Sequence, residues 1–176
     1  AEQRRAGSRI AVGIQEMVDA RVAGVAFTVS PVSGDPSVIA VNASWGLGEA
    51  VVSGEVTPDE YWISKIGPEL VRSTVARKTR RCVPSENGTI LADVPADLVD
   101  APCLSDRLAT ELAALAMRVE KHYGVPQDIE WALTGDDRFV VLQSRPETVH
   151  AARRAARRTP PSYLSQLPAF AERGRP

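Results

Sequence analysis

The chain has 176 residues, of which 44% are apolar, and it carries a net charge of −1. This length suffices for one buried core but not for two full domains. No apolar run reaches the roughly 18 to 20 residues of a membrane span, and the first ten residues contain no apolar signal-peptide core. Two cysteines exclude a disulfide scaffold and two histidines exclude a histidine-rich metal centre, so we expect a globular protein in the reducing cytoplasm, with no membrane partner.

The charge is unevenly distributed along the chain. Residues 150–176 carry six arginines and one glutamate, a net charge of +5, whereas residues 1–149 carry a net charge of −6. The acidic part has no basic stripe interleaved with aromatic residues, so we expect no specific nucleic-acid partner. The Arg, Ala and Pro content after residue 150 predicts a tail or linker that follows a domain of residues 1–149.

Short β-type runs dominate the first half of the chain. Residues 10–18 and 22–30 predict a hairpin, and residues 37–43 predict a third, central strand. The sequence Gly-Leu-Gly-Glu at 46–49 predicts a tight turn that leads into a short helix. The alternative for this loop is a site where its backbone N–H groups bind an anion.

The middle of the chain is less regular. Residues 60–65 and 69–76 predict a second hairpin, and residues 77–103 show a strand pattern only near 89–92.

One long helix is predicted over residues 106–123, because its apolar residues recur at steps of three and four. Ser105 precedes it as a helix N-cap, and Gly124 follows it at the position where helices end. Hairpins combined with one long helix predict an α+β fold with a mostly antiparallel sheet.

The last predicted hairpin pairs residues 127–133 with residues 139–145 about a turn at Asp136-Asp137. Side chains alternate along a strand, so each strand is expected to gather polar residues on one face. The expected sets are Asp128, Glu130 and Ala132 on the first strand, and Phe139, Val141, Gln143 and Arg145 on the second.

An even-numbered turn there places Glu130 opposite Gln143, with Arg145 on the same patch. Carboxylate and amide oxygens suit a hard cation such as Mg²⁺, and the arginine fork suits phosphate. The alternative is an ordinary solvated face with a Glu130–Arg145 ion pair. Gln15, inside an apolar run, either lines a ligand cleft or belongs to a hairpin edge.

Several strings stand in one order along the chain: GIQEMV (13–18), AGVAFT (23–28), NASWGLGEAVVSG (42–54), TPD (57–59), DIEWA (128–132) and LQSRPETV (142–149). Together they resemble the nucleotide-binding domain of the family that contains phosphoenolpyruvate synthase, pyruvate phosphate dikinase and rifampicin phosphotransferase. The resemblance implies that residues 1–149 are the C-terminal portion of an ATP-grasp domain. It also implies ATP and Mg²⁺ as cofactors.

The same resemblance implies roles for individual residues. Gln15 matches a position that contacts the adenine, and Glu130 and Gln143 match positions near the phosphates and Mg²⁺. Arg145 matches the phosphate-binding arginine and is the catalytic candidate, while Glu49 lies in the glycine loop near the phosphate end. We expect Gln15 on the same concave side as Arg145.

The implied activity is an ATP-dependent phosphotransferase that converts ATP, pyruvate and water to phosphoenolpyruvate, AMP and phosphate through a phosphohistidine. The sequence does not match the family's N-terminal subdomain, its histidine domain or its pyruvate-binding barrel. We therefore expect a fragment or subunit that meets these parts in cis or in trans and is inactive alone. Two alternatives stay open: a rifampicin phosphotransferase fragment, and a non-catalytic nucleotide-binding or partner module.

Overall fold

Eight β-strands and two helices make up residues 11–148, the part of the chain that the computed structural model describes. The predicted tail at 150–176 lies outside these residues. The strands are β1 (Ala20–Phe27), β2 (Val38–Trp45), β3 (Asp59–Ser64), β4 (Glu69–Thr74), β5 (Arg80–Ser85), β6 (Gly88–Asp93), β7 (Gln127–Thr134) and β8 (Phe139–Pro146). The helices are α1 (Glu49–Val52) and α2 (Asp106–Tyr123). The prediction of a mostly antiparallel sheet with one long helix is confirmed.

Six strands form one antiparallel sheet in the order β4-β3-β2-β1-β7-β8, and β5 and β6 form a separate hairpin. Helix α2 packs on one face of the large sheet, which we call the helix-covered face. Its core is built by alternate residues of the central strands, for example Val22, Val41, Tyr61 and Trp131, all of them 1% exposed or less. The opposite face, which we call the open face, carries Ala23, Asn42 and Glu130, among others, and holds the candidate site described below.

Helix α2 has the bounds and the caps that its sequence predicts. The Ser105 hydroxyl oxygen accepts a hydrogen bond from the Leu108 backbone N–H at 3.3 Å. Gly124 adopts the left-handed conformation with φ of 70°, and its N–H donates to the Glu120 carbonyl at 2.8 Å. Leu108 and Leu112 are buried against the sheet, as the apolar stripe requires.

The predicted strand at 10–18 is wrong over residues 11–18, and residue 10 lies outside the described residues. Residues 11–19 belong to no helix or strand, although the second predicted strand of this pair is present as β1. The reason is that β1 already has a partner on each long side, β2 on one and β7 on the other. A strand at 11–18 would therefore need a partner other than the one its sequence neighbourhood suggests.

The hairpin β5–β6 was predicted only in its second half. Strand β6 (Gly88–Asp93) includes the predicted 89–92 segment, but β5 (Arg80–Ser85) shows no alternating pattern in its sequence. Cys82 is the one residue of β5 that is buried, so the strand carries too few apolar residues for a pattern to be seen. The other predicted strands are confirmed as β2, β3, β4, β7 and β8. None of the helices within residues 11–148 is both long and apolar enough to cross a membrane.

Candidate functional site

Five residues, 134–138, lie between the two members of the last residue pair in the β7–β8 hairpin. Leu133 pairs with Phe139 at its base, so the turn is centred on Asp136 alone, and Asp137 adopts a positive φ of 59°. The prediction of an even-numbered turn about Asp136-Asp137 is wrong. On its own, this odd turn would put Glu130 out of register with Gln143.

A β-bulge restores that pairing. The register shifts between Glu130 and Trp131, so that Trp131 pairs with Val141 while Glu130 pairs with Gln143. Leu142 is the extra residue on β8. The predicted Glu130–Gln143 pair is therefore confirmed. It results from two deviations that cancel each other, the odd-numbered turn and the bulge.

The bulge also divides β8 between the two faces of the sheet. Phe139 and Val141 pack against the helix-covered core, where the Phe139 and Trp131 rings meet edge to face with centroids 5.7 Å apart. Gln143 and Arg145, beyond the bulge, share the open face with Glu130. The prediction that Phe139, Val141, Gln143 and Arg145 share one face is wrong, because the extra residue reverses the alternation.

Arg145 is held between two carboxylates of β7. Its Nε donates to Asp128 Oδ2 at 2.9 Å, and its Nη2 lies 3.7 Å from Glu130 Oε1. The second Asp128 oxygen, Oδ1, is buried and has no hydrogen-bond partner among the described residues. Strand alternation predicted Asp128 on the same face as Glu130, but no feature of the sequence indicated that it belongs to the site. A guanidinium has five N–H donors, so Arg145 retains free donors for an anion.

A cavity of about 510 Å³ lies on the open face. It lies between the segment 15–18, strand β1, the glycine loop with α1, and the β7–β8 hairpin. Gln15, Glu49 and Glu130 are three of its lining residues, so the structure brings them together. Gln143 and Arg145 lie next to Glu130 on the sheet, outside that lining.

The charges of the cavity are of one sign. Glu16, Glu49 and Glu130 line it, and no lysine or arginine among the described residues does. The rest of the wall is largely apolar, with Leu47 and Leu142 among its members. Such a wall suits a flat apolar group, whereas a polyanion needs cations that the lining itself does not supply.

The first two backbone N–H groups of the glycine loop at 46–48 donate hydrogen bonds to carbonyls of the fold itself. The Gly46 N–H donates to the Arg21 carbonyl and the Leu47 N–H to the Cys82 carbonyl, both at 2.9 Å. Gly46 has a φ of 79°, and a Cβ there would lie 2.1 Å from the Cys82 oxygen, so only glycine fits. The predicted tight turn into a short helix is confirmed, and these two N–H groups are not free to bind an anion.

Glu49, the first residue of α1, is fixed by a residue that sequence reasoning missed. The Thr89 hydroxyl on β6 donates to Glu49 Oε2 at 2.7 Å, and both residues line the cavity. Cys82 Sγ lies 3.8 Å from the same oxygen. Burial raises the pKa of the Cys82 thiol, and the Glu49 carboxylate adds to the rise. No sequence pattern links positions 49 and 89.

Residues 11–148 contain no group of three or more His, Cys, Asp or Glu side chains that are close enough to hold a metal ion. Any cation near Glu130 would therefore be held in part by amide oxygens or by groups outside the described chain. The Asp128 and Glu130 carboxylates both lie within 4 Å of Arg145, and Gln143 is the strand partner of Glu130.

Comparison with known proteins assigns this region to one family. Residues 2–163 match the family described as pyruvate phosphate dikinase, AMP/ATP-binding domain. The chain is 47% identical over 139 residues to the probable phosphoenolpyruvate synthase of Methanothermobacter thermautotrophicus. The aligned region covers 79% of this chain and 20% of that protein.

Other relatives match to a similar extent. The phosphoenolpyruvate synthase of Pyrococcus furiosus is 41% identical over 143 residues, covering 77% of this chain and 18% of the relative. The prodigiosin synthesizing transferase PigC of Serratia marcescens is 42% identical over 147 residues, covering 83% and 16%. The chain thus spans about a fifth of the length of these relatives or less.

Proposed function

The chain belongs to the pyruvate phosphate dikinase AMP/ATP-binding domain family, and from this premise we propose that it is the C-terminal portion of an ATP-grasp site in a phosphoenolpyruvate synthase-type enzyme. One observation carries the proposal. Gln15, Glu49 and Glu130, which lie far apart in sequence, line a single cavity whose size suits a nucleotide. Arg145 lies beside Glu130 on the same face.

The apolar part of the cavity, with Gln15 at one wall, receives the adenine in this proposal. Arg145 is the catalytic candidate, because a guanidinium fixed by Asp128 can meet charge that develops on a transferred phosphoryl group. Its position is set before substrate arrives, since the Asp128 carboxylate already holds its Nε. The Arg145 guanidinium also places a positive charge next to Glu130, where the cavity is otherwise acidic.

Glu130 and Gln143 are the residues that would hold Mg²⁺. Three observations support this fit: their oxygens belong to paired residues on one face, Asp128 Oδ1 beside them lacks a partner, and the cavity is lined by carboxylates. Oxygen donors of this kind suit a hard cation. When bound, Mg²⁺ would neutralise part of the phosphate charge that the carboxylates otherwise repel.

The exposed segment 11–18 supports a second subdomain as a partner. No backbone group of this segment bonds to another backbone group of the described residues. Ile14 is fully exposed, and Val12 and Met17 are mostly exposed, although the run has strand-forming composition. We propose that the N-terminal ATP-grasp subdomain covers it, in cis or in trans. A separate histidine domain would accept the phosphoryl group and pass it to pyruvate.

A second candidate is a fragment of a transferase for another acceptor, such as a rifamycin. The 42% identity to a prodigiosin synthesizing transferase favours it, because a relative named for a different product has a closely similar segment.

A non-catalytic nucleotide-binding module is the third candidate function. The absence of described basic residues from the cavity lining favours it for the chain by itself.

Titration of the purified chain with Mg·ATP, followed by chemical shifts, and an AMP-release assay test the proposal. If two charge-assisted phosphate contacts belong to the absent subdomain, affinity falls by roughly two to four orders of magnitude, so we expect millimolar binding. We expect no AMP from ATP and pyruvate. Arg145→Gln should weaken binding further, while Arg118→Gln on helix α2 should not.

Two results would contradict the proposal. Pyruvate-dependent AMP production by the pure chain would show that no further part is needed. Unchanged resonances of Gln15, Glu49 and Glu130 at the highest soluble concentration of Mg·ATP would show that the cavity is not the nucleotide site.

A further inference from the structure

The hairpin β5–β6 contacts the cavity region at two points. At the first, the Cys82 carbonyl of β5 accepts the Leu47 N–H, and Cys82 is buried with Leu47 and Ala50 in a small apolar cluster. At the second, the Thr89 hydroxyl of β6 donates to the Glu49 carboxylate. The first contact attaches the hairpin to the body, and the second reaches a charged group in the cavity wall.

Glu49 has little else to hold it. It is exposed at the start of α1, a helix of four residues, and its donors among the described residues are the Thr89 hydroxyl at 2.7 Å and the weaker Cys82 thiol at 3.8 Å. Glu16 and Glu130 line the same cavity, so like charge favours rotation of the Glu49 side chain outward to water. The 2.7 Å bond from Thr89 opposes this rotation by selecting one rotamer.

We infer that Thr89 is a positioning residue, which fixes the Glu49 carboxylate in the cavity wall and so makes the hairpin β5–β6 part of the ligand site. The inference rests on the proposed nucleotide function of the cavity. It assigns a role to the hairpin β5–β6, whose strands pair with each other and with no strand of the large sheet. Thr89 also lines the cavity, so the test must separate an effect through Glu49 from a direct contact of Thr89 with the ligand.

Three variants of the full chain test this role. Thr89→Val removes the hydroxyl at nearly constant volume, Thr89→Ser keeps it, and Thr110→Val makes the same change on helix α2. Thr110 is a matched control because its hydroxyl donates to backbone carbonyls within the helix, at 2.8 Å to Asp106. Chemical-shift titration with Mg·ATP gives the affinity, and three-bond couplings of Glu49 in the nucleotide-free protein give its rotamer population.

We expect Thr89→Val to weaken Mg·ATP binding about three- to tenfold and to average the Glu49 couplings. Thr89→Ser should restore both within about twofold, and Thr110→Val should change neither. In a Glu49→Ala background, Thr89→Val should have no further effect on affinity. Unchanged hydrogen exchange at the Leu47 amide would confirm that the hairpin stays attached in each variant.

Either of two results overturns the inference: unaltered Glu49 couplings in Thr89→Val, or an equal loss of affinity in the Glu49→Ala background. The second would mean that Thr89 acts without Glu49. If the wild-type chain shows no binding of Mg·ATP at the cavity, the proposed function fails. The couplings measured without nucleotide still decide whether Thr89 fixes Glu49.

Discussion

Replacing Lys78 by methionine should cost this fold more stability than the loss of any other basic side chain in the described chain. The Lys78 and Asp59 side chains are fully buried and form an ion pair. The Asp59 carboxylate also accepts the backbone N–H groups of Ala76 and Cys103, both at 2.8 Å, and the Tyr61 hydroxyl at 3.2 Å. One buried carboxylate thus connects β3 to the segment after β4 and to the segment before α2.

The magnitude follows from what remains after the change. Methionine keeps the apolar stem of Lys78 but leaves the Asp59 charge in the core with neutral donors only. Removing one partner of a buried pair costs about 3–5 kcal/mol, against a total unfolding free energy of about 5–15 kcal/mol. With a urea m value of about 2 kcal/mol per M, the unfolding midpoint should fall by roughly 1.5–2.5 M.

Urea unfolding followed by circular dichroism measures this change, and the neighbouring residue is the control. Arg77 forms an ion pair with Asp100 at 3.2 Å in which both side chains are more than two-thirds exposed. Arg77→Met should therefore cost less than about 1 kcal/mol. If Lys78→Met came within 1 kcal/mol of Arg77→Met, the reasoning would be refuted, because the three neutral donors would then suffice to hold the Asp59 charge.

Two further outcomes are expected. A Cβ at Gly24 would lie 1.9 Å from the Asn42 carbonyl oxygen, so Gly24→Ala should destabilise the fold by about 1–3 kcal/mol or more in thermal unfolding. Gly13→Ala, where a Cβ meets nothing within 4 Å, should change the unfolding free energy by less than about 0.5 kcal/mol. Equal melting temperatures for the two alanine variants would contradict the prediction for Gly24. Burial raises the pKa of the Cys103 thiol and of the Tyr61 hydroxyl above their ordinary values of 9.0 and 10.0. Both groups then stay protonated in the fold but ionise when unfolded, so the unfolding free energy should fall as pH rises above 9, by up to about 1.4 kcal/mol per pH unit for each group. Cys103→Ala should flatten this fall between pH 9 and 10 in urea titrations, and an unchanged slope would count against it.

The elements that could be predicted from sequence are those whose signals are local. Helix α2 has its apolar period and both caps, Ser105 and Gly124, within twenty residues. The β7–β8 hairpin has two alternating strands on either side of one turn. The segment 11–18 has an equally strong strand pattern, yet it forms no strand, because strand formation requires a partner and the pattern does not name one.

The site was predictable in part for a related reason. Gln15 and Glu130 were identified by strand pattern and by resemblance, and Glu49 by resemblance, and the structure brings all three to one cavity. Asp128 and Thr89 were missed. The role of Asp128 depends on the bulge at Leu142, which the sequence does not mark, and that of Thr89 depends on a contact between elements forty positions apart.

The order of the central strands has a consequence for biosynthesis. Strand β1 is translated before β7, one of its two neighbours, and Val25 pairs with Glu130 more than one hundred positions later. At ribosomal rates of about 5–20 residues per second, this side of β1 waits roughly 5–20 s for its partner. During that interval an apolar strand edge is open to pairing with other nascent chains. The cavity wall formed by Glu130 is therefore completed only after β7 has been translated.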